Sequence, residues 1–302
     1  VLGGAALGNG FVDHAGAVLR GYERFDQEAR LNGCRALATA IGGVATLVVG
    51  RSLVSLCAGL LAASLAGCIY ACATMLRFHP VEGLTRNSTK ERARSLARSA
   101  LRQSLPLWIA GLLSLLYFKV DTFFLRVLSG DSELGAYGAA FKLFEGSMIV
   151  PSILLSVAFP KLARARGEPL TQRRLERRLA LSLMTVGLGL GGVGVLGGAP
   201  LVHVLFGAGF GRAVASLRIL SLGLPLLYLN YGLTHFLVAR DQGRATTWLA
   251  LMMLVANVVL DAVLIPRRAG PGAAWATVLS ELALTAGCLA VFRMMGARRG
   301  TQ

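Results

Sequence analysis

Four ionisable residues stand where ionic groups are costly. Lys119, Asp121, Lys142 and Glu145 each lie inside a stretch of sequence that is otherwise apolar. A charge at mid-bilayer costs ~2.5–3.5 kcal/mol on the insertion scale, so it needs a partner or a watery surface. The two stretches, residues 104–128 and 136–160, are joined by residues 129–135, SGDSELG. Counted inward from that turn, Asp121 is seven residues deep and Lys142 six, while Lys119 and Glu145 are each nine deep. At the helical rise, Asp121 and Lys142 lie about 10 Å below the surface. Two pairs at matched depth are expected, Asp121–Lys142 and Lys119–Glu145. Such pairs serve as glue between neighbouring spans. Alternatively they line a central, watery cavity. Both readings stay open at this point.

Other polar residues recur in the later spans. Asn257 and Glu281 fall at similar depth in the last hairpin, which makes a hydrogen bond between them plausible. Arg218 and Asp261 lie near the same surface and could pair as a clamp. Tyr228, Asn230, Tyr231 and His235 give one span a polar, aromatic half that suits either sugar contact or core packing. Arg126 is placed to snorkel toward head groups. No nucleotide-binding motif and no metal-ligand spacing is present, and the five cysteines read as small packing residues.

These side chains must be positioned by membrane helices. The 302 residues are 55% hydrophobic and 15% charged, with a mean hydropathy of +0.62. Nine apolar stretches divide the chain, near residues 1–19, 36–50, 53–76, 104–128, 136–160, 179–199, 213–238, 245–265 and 272–292. Of the 31 Lys and Arg, 23 fall in one alternate set of loops, 4 in the other and 4 inside spans. The positive-inside rule makes the basic set cytoplasmic, with the C-terminus inside. That rule and attraction to anionic lipid account for the net charge of +16, so nucleic acid is not an expected partner. The expected fold is an all-α integral membrane protein, a polytopic bundle of about nine transmembrane helices. The short span 36–50 is expected to extend outward past Arg51. Residues 86–102 and 161–178 read as basic segments at the head-group surface.

Several motifs in order resemble those of polysaccharide-export flippases, the lipid-linked oligosaccharide branch of the multidrug/oligosaccharidyl-lipid/polysaccharide exporter (MOP) superfamily. They are Asp121, the G-x-Y-x-x-A-x-K run at Gly135, Tyr137, Ala140 and Lys142, and the FP-x-L of residues 159–162. The LFG of residues 205–207 and the pattern N-x(3)-D-x(3)-IP…GAA-x-AT-x-x-SE of residues 257–281 add to them. Asp261 departs from the family, where Asn is commoner. The resemblance implies two lobes, with this chain covering family helices four to twelve. It divides the chain into a partial N-terminal lobe, 1–76, a basic cytoplasmic linker, 77–103, and a C-terminal lobe, 104–302. On this reading three further helices of the first lobe precede residue 1.

The implied function is flipping of an undecaprenyl-diphosphate-linked oligosaccharide across a bacterial inner membrane by alternating access. No cofactor and no catalysis are expected. Substrate and ion pathway residues would be Lys119, Asp121, Lys142, Glu145, Arg218, Tyr228, Asn230, Tyr231, Asn257 and Glu281. Partners would be membrane lipid, the lipid-linked oligosaccharide and other polysaccharide-assembly membrane proteins. The alternatives are a cation-coupled multidrug or metabolite exporter, or a membrane glycosyltransferase. The last needs carboxylates or His on a sizeable outer loop, and these outer loops are short. In a variant lacking the native cysteines, single cysteines at Ser132 and Thr171 should react with an impermeant maleimide from opposite faces of the membrane. Labelling of both from one face would refute the hairpin assignment.

Overall fold

The computed structural model describes residues 2–22, 24–50, 53–77, 90–165 and 167–299, which form helices and turns with no strand among them. The helices are α1 (Leu2–Gly21), α2 (Phe25–Gly50), α3 (Leu53–Arg77), α4 (Lys90–Ser129), α5 (Asp131–Gly146), α6 (Ile149–Arg164), α7 (Pro169–Phe206), α8 (Ala213–Ala239) and α9 (Gly243–Arg299). Hydrocarbon offers no water to backbone N–H and C=O groups, so an apolar chain must bond them within its own helices. Six helical stretches among the described residues are long and apolar enough to cross a membrane. Leu196, Val204, Trp108 and Val54 are exposed on their surfaces, an arrangement that suits lipid tails rather than water. The expected all-α membrane architecture is present.

Two boundaries differ from the sequence reading. The short span is longer at its N-terminal end: α2 starts at Phe25 and is 26 residues long, because Asp26 and Glu28 open a helix where a loop was expected. Acidic residues in a first turn complement the positive helix end. Residues 51–52 lie outside the described residues. The basic segment is helical from Lys90 and runs without a break into the span, so α4 is 40 residues long; residues 86–89 lie outside the described residues.

The helices gather into two compact units, Val1–Ala93 and Arg94–Gln302. In the first, Val12, Ala15, Leu19, Leu31 and Ala71 make the core. Gly42 and Gly59 let α2 and α3 approach closely; a Cβ added at Gly59 would sit 2.8 Å from the Gly42 carbonyl oxygen. Arg35 donates to Asp13, which gives that carboxylate its counter-charge.

In the second unit α8 is the central element, packed on α5, α6, α7 and α9. Proline shapes its contacts. Pro225 brings no N–H to the carbonyl of Ser221, and Gly191 of α7 lies against that carbonyl: a Cβ there would be 2.6 Å from the oxygen. Gly187, Gly191, Gly194 and Gly198 line the same buried stripe of α7, the small-residue spacing that allows close helix approach in lipid. Pro151 likewise leaves the carbonyl of Ser147 without its helical donor. That oxygen accepts instead from the Val150 amide at 3.1 Å and the Tyr228 hydroxyl at 2.7 Å, and α5 gives way to α6 there. In α9 the backbone leaves helical geometry at Ala269 (φ 47°, ψ −127°), between Pro266 and Pro271. Beyond it the chain doubles back, since Gly287 lies against Leu249 and Met252. α9 is therefore a hairpin of two arms, 243–268 and 270–299.

Overpacking a close helix crossing costs ~1–3 kcal/mol. Gly191→Leu should therefore lower the melting temperature of the detergent-purified protein. Gly189→Ala, on the open face of the same helix, should leave it unchanged or raise it.

Candidate functional site

Each arm that meets α4 carries polar side chains four residues apart, which places them on one helix face. These are Tyr117 and Asp121 on α4, Asn257 and Asp261 on the first arm of α9, and Thr277, Glu281 and Thr285 on the second. Packing brings the three faces together with α5 and α8, and two buried polar clusters result.

The first cluster centres on Asp121. Its Oδ2 accepts from the Tyr137 hydroxyl of α5 at 2.6 Å and from Thr277 Oγ1 at 2.9 Å. Thr277 has one hydrogen to give and also lies 3.1 Å from the carbonyl of Ala273, so its donation to Asp121 is contested. Asp261 and Asn257 are fully buried and stand within side-chain interaction range of Asp121. Asp121 Oδ1, both carboxylate oxygens of Asp261 and both polar atoms of Asn257 have no hydrogen-bond partner among the described residues. A buried polar atom left unpaired costs ~1–3 kcal/mol. Two carboxylates facing each other at low dielectric repel unless a cation or a proton intervenes. The free atoms are carboxylate and amide oxygens with one amide nitrogen, a set suited to a small hard cation. No group of three or more His, Cys, Asp or Glu among the described residues is arranged for a metal ion.

The second cluster is closed. Glu281 Oε1 accepts from the Tyr117 hydroxyl at 3.2 Å, and Oε2 accepts from Asn230 Nδ2 at 2.7 Å. The same amide reaches the Glu281 carbonyl at 2.8 Å, and Asn230 Oδ1 accepts from Thr285 at 2.8 Å. Asn230 thus ties α8 to α9 with its whole amide.

A third group lies on the surface of the α4–α5 hairpin. Glu145 Oε1 is 3.6 Å from Lys119 Nζ and its Oε2 is 3.3 Å from Lys142 Nζ. The lysine side chains are 63% and 74% exposed and the carboxylate 38%.

Three expected pairings are corrected. Asp121 does not bind Lys142; it turns inward to Tyr137 and Thr277, while Lys142 turns to Glu145. Matched depth could not reveal that the two side chains leave their helices on different faces. Asn257 is not the partner of Glu281, because Asn230 of α8 takes that place. Arg218 is exposed on α8 while Asp261 is buried without a partner, so they form no clamp. The Lys119–Glu145 pair is present. Arg126 meets the exposed Asp131 at 3.6 Å. Tyr228 is buried and serves the Ser147 kink, and Tyr231 packs its ring on His235, 4.5 Å between centroids. Tyr117, Tyr137, Thr277 and Thr285 were not singled out as site residues by sequence reasoning. For Tyr117, Thr277 and Thr285 the signal was present in the four-residue recurrence along each helix; Tyr137 of α5 had none.

These clusters sit in a helical fold similar to that of solved transporters of the MATE and MOP groups. The chain superposes on a point mutant of the MATE transporter VcmN from Vibrio cholerae with a TM-score of 0.81 and 13% identity, over 97% of this chain and 68% of that one. The bent form of VcmN gives 0.76 and 14% over the same shares. A MOP superfamily transporter from Pyrococcus furiosus matches with a TM-score of 0.56 and 20% identity, over 62% of this chain and 43% of that one. At such identities the likeness is one of fold. The chain spans less than half the length of the Pyrococcus protein. The polysaccharide biosynthesis protein family matches residues 8–166, more than half of the sequence, and the chain belongs to that family. No curated protein matches it in sequence.

Removing the Asn230 amide takes the donor from Glu281 Oε2, which costs ~1–3 kcal/mol. Asn230→Ala should accordingly lower the melting temperature in detergent. Asn257→Ala removes an amide that has no partner to lose, and in buffer without small cations it should be neutral or stabilising. Equal destabilisation by both would show that Asn257 is satisfied in the folded protein.

Proposed function

We propose that the chain is the part of a flippase that carries a lipid-linked oligosaccharide across a bacterial inner membrane, driven by a cation held around Asp121. The observation that carries the reading is the set of buried, unpartnered oxygens of Asp121, Asn257 and Asp261 in a chain of the polysaccharide biosynthesis family. A site so costly when empty favours the conformation in which a cation or proton fills it, and differential binding of that kind is what shifts a two-state equilibrium. Thr277 Oγ1 would complete the shell. Its place on the second arm of α9, opposite Asn257 and Asp261 on the first, would let ion binding draw the arms toward α4.

The head group would be met by Lys119 and Lys142. Their exposure supports this, because ammonium groups at that depth are far cheaper against water or an anion than against lipid. The basic loops would lie in the cytoplasm with the C-terminus, and transport would proceed by alternating access. Other polysaccharide-assembly membrane proteins would deliver and receive it. No reaction is catalysed on this reading. The MATE-like fold is shared with transporters of other cargo, so multidrug or metabolite export is the competing function.

A flippase-deficient strain should regain surface polysaccharide when it carries the full-length gene. The same gene with Asp121→Asn plus Asp261→Asn should restore it at least tenfold less, with lipid-linked intermediate retained inside. In proteoliposomes, flipping should be driven by an imposed Na⁺ or pH gradient, and which of the two works identifies the ion. Drug efflux without polysaccharide rescue would overturn the substrate. Full rescue by the double variant would overturn the ion site.

A further inference from the structure

The N-terminal end of α7 carries charge that the protein leaves uncompensated. Arg173, Arg174, Arg177 and Arg178 lie near its start and all are exposed. None of them is ion-paired among the described residues. Glu176 is the one carboxylate of the helix, and packing takes it away from them. It is buried and accepts from Arg240 Nε at 2.9 Å and from Nη2 of the same side chain, whose guanidinium lies over the Phe292 ring. Arg173 and Arg177, like Arg174 and Arg178, stand four residues apart, a spacing at which like charges repel.

Beyond the arginines the same face turns apolar. From Leu179 no Asp, Glu, Lys or Arg follows until Arg212. Leu181 lies four residues past Arg177 and seven past Arg174, and Leu188 lies seven further on, so the four share one side of the helix. Both leucines are exposed, opposite the buried stripe of Gln172, Glu176, Leu183 and Gly187. From Arg177 to Leu188 this surface runs about 16 Å at the helical rise. Guanidinium groups at one end and bare apolar surface along the rest match a phospholipid, with phosphate below and acyl chain above. A soluble polyanion would leave the leucines unused.

We infer that this face of α7 is a binding site for a net-anionic glycerophospholipid of the phosphatidylglycerol class, held by Arg174, Arg177 and Arg178 with its chain along Leu181 and Leu188. Guanidinium forks take phosphate oxygens in pairs. A zwitterionic lipid offers the same phosphate but brings its own cation, which the neighbouring arginines repel; a net-anionic lipid brings none. The site therefore discriminates by repulsion as well as attraction. Arg240 serves it indirectly, by keeping the one local carboxylate from competing for the arginines. The inference holds whichever cargo the fold carries.

The test uses the full-length protein with its native tryptophans replaced by phenylalanine and a single tryptophan introduced as Leu181→Trp. It is placed in zwitterionic nanodiscs that contain a small fraction of brominated phosphatidylglycerol or brominated phosphatidylcholine, whose bromines quench a tryptophan they touch. Quenching should show phosphatidylglycerol enriched at this position roughly threefold or more over its bulk fraction, and phosphatidylcholine not enriched. Leu196→Trp, exposed further along the same helix, should show no preference. Adding Arg174→Gln, Arg177→Gln and Arg178→Gln to Leu181→Trp should bring the ratio of the two lipids close to one. Should that variant fail to fold, about 0.5 M salt applied to the parent should lower the preference at least twofold, because exposed charges are screened. Equal quenching by the two lipids beside Leu181→Trp would overturn the inference. So would a preference that survives loss of the arginines, one that salt leaves unchanged, or one of the same size at Leu196→Trp.

Discussion

Hydrocarbon leaves a buried carboxylate with nothing to bond except other parts of the protein. That constraint organises the larger unit. Asp121 and Glu281 are placed where α4 meets the second arm of α9, and each recruits hydroxyls or amides from other helices: Tyr137 of α5 and Thr277 for the first, Tyr117 of α4 and Asn230 of α8 for the second. Four elements are held in register by a handful of polar bonds, each of them costly to leave unmade in a medium without water. The two clusters nevertheless end differently. Around Glu281 both carboxylate oxygens have a donor, and the network is closed. Around Asp121 they do not, and a second carboxylate with its neighbouring amide is left over. A protein built for stability alone would place apolar side chains there. The unpaired atoms are what make the cluster a candidate for work.

The backbone obeys the same rule. Each proline inside a membrane helix strips a carbonyl of its donor, and the neighbouring residues compensate. The Tyr228 hydroxyl reaches the Ser147 carbonyl below Pro151, and Gly191 leaves room beside the Ser221 carbonyl below Pro225. Tyr228 and the glycine stripe of α7 thus allow bends that an unbroken helix would resist. The break at Ser147 in turn sets where α5 stops and α6 begins.

Much of this was legible in the amino-acid order. Hydropathy and the distribution of Arg give a multi-pass helical protein because they report directly on the medium each residue must enter. The hairpin after Ser129 follows from two apolar runs and a short polar turn, and the Lys119–Glu145 pair follows from their equal distance to it. The motif around Asn257, Asp261 and Thr277 pointed to the family. What depth could not convey was direction around the helix axis. Asp121 and Lys142 are level, yet one points into the core and the other out of it. Nor could the pairing of Asn257 with Glu281 be tested along the chain, since the true partner, Asn230, comes from a helix outside that hairpin.

The sequence alone therefore determined the medium, the helices and the residues able to carry charge across it, because those depend on composition summed over windows. Tertiary structure decided which of these residues bond each other and which are left wanting. Partner choice is set by rotation and crossing of helices from distant parts of the chain, here under the control of glycines and prolines. The same carboxylate reads identically in one dimension whether three-dimensional packing gives it two donors, as for Glu281, or none, as for Asp261.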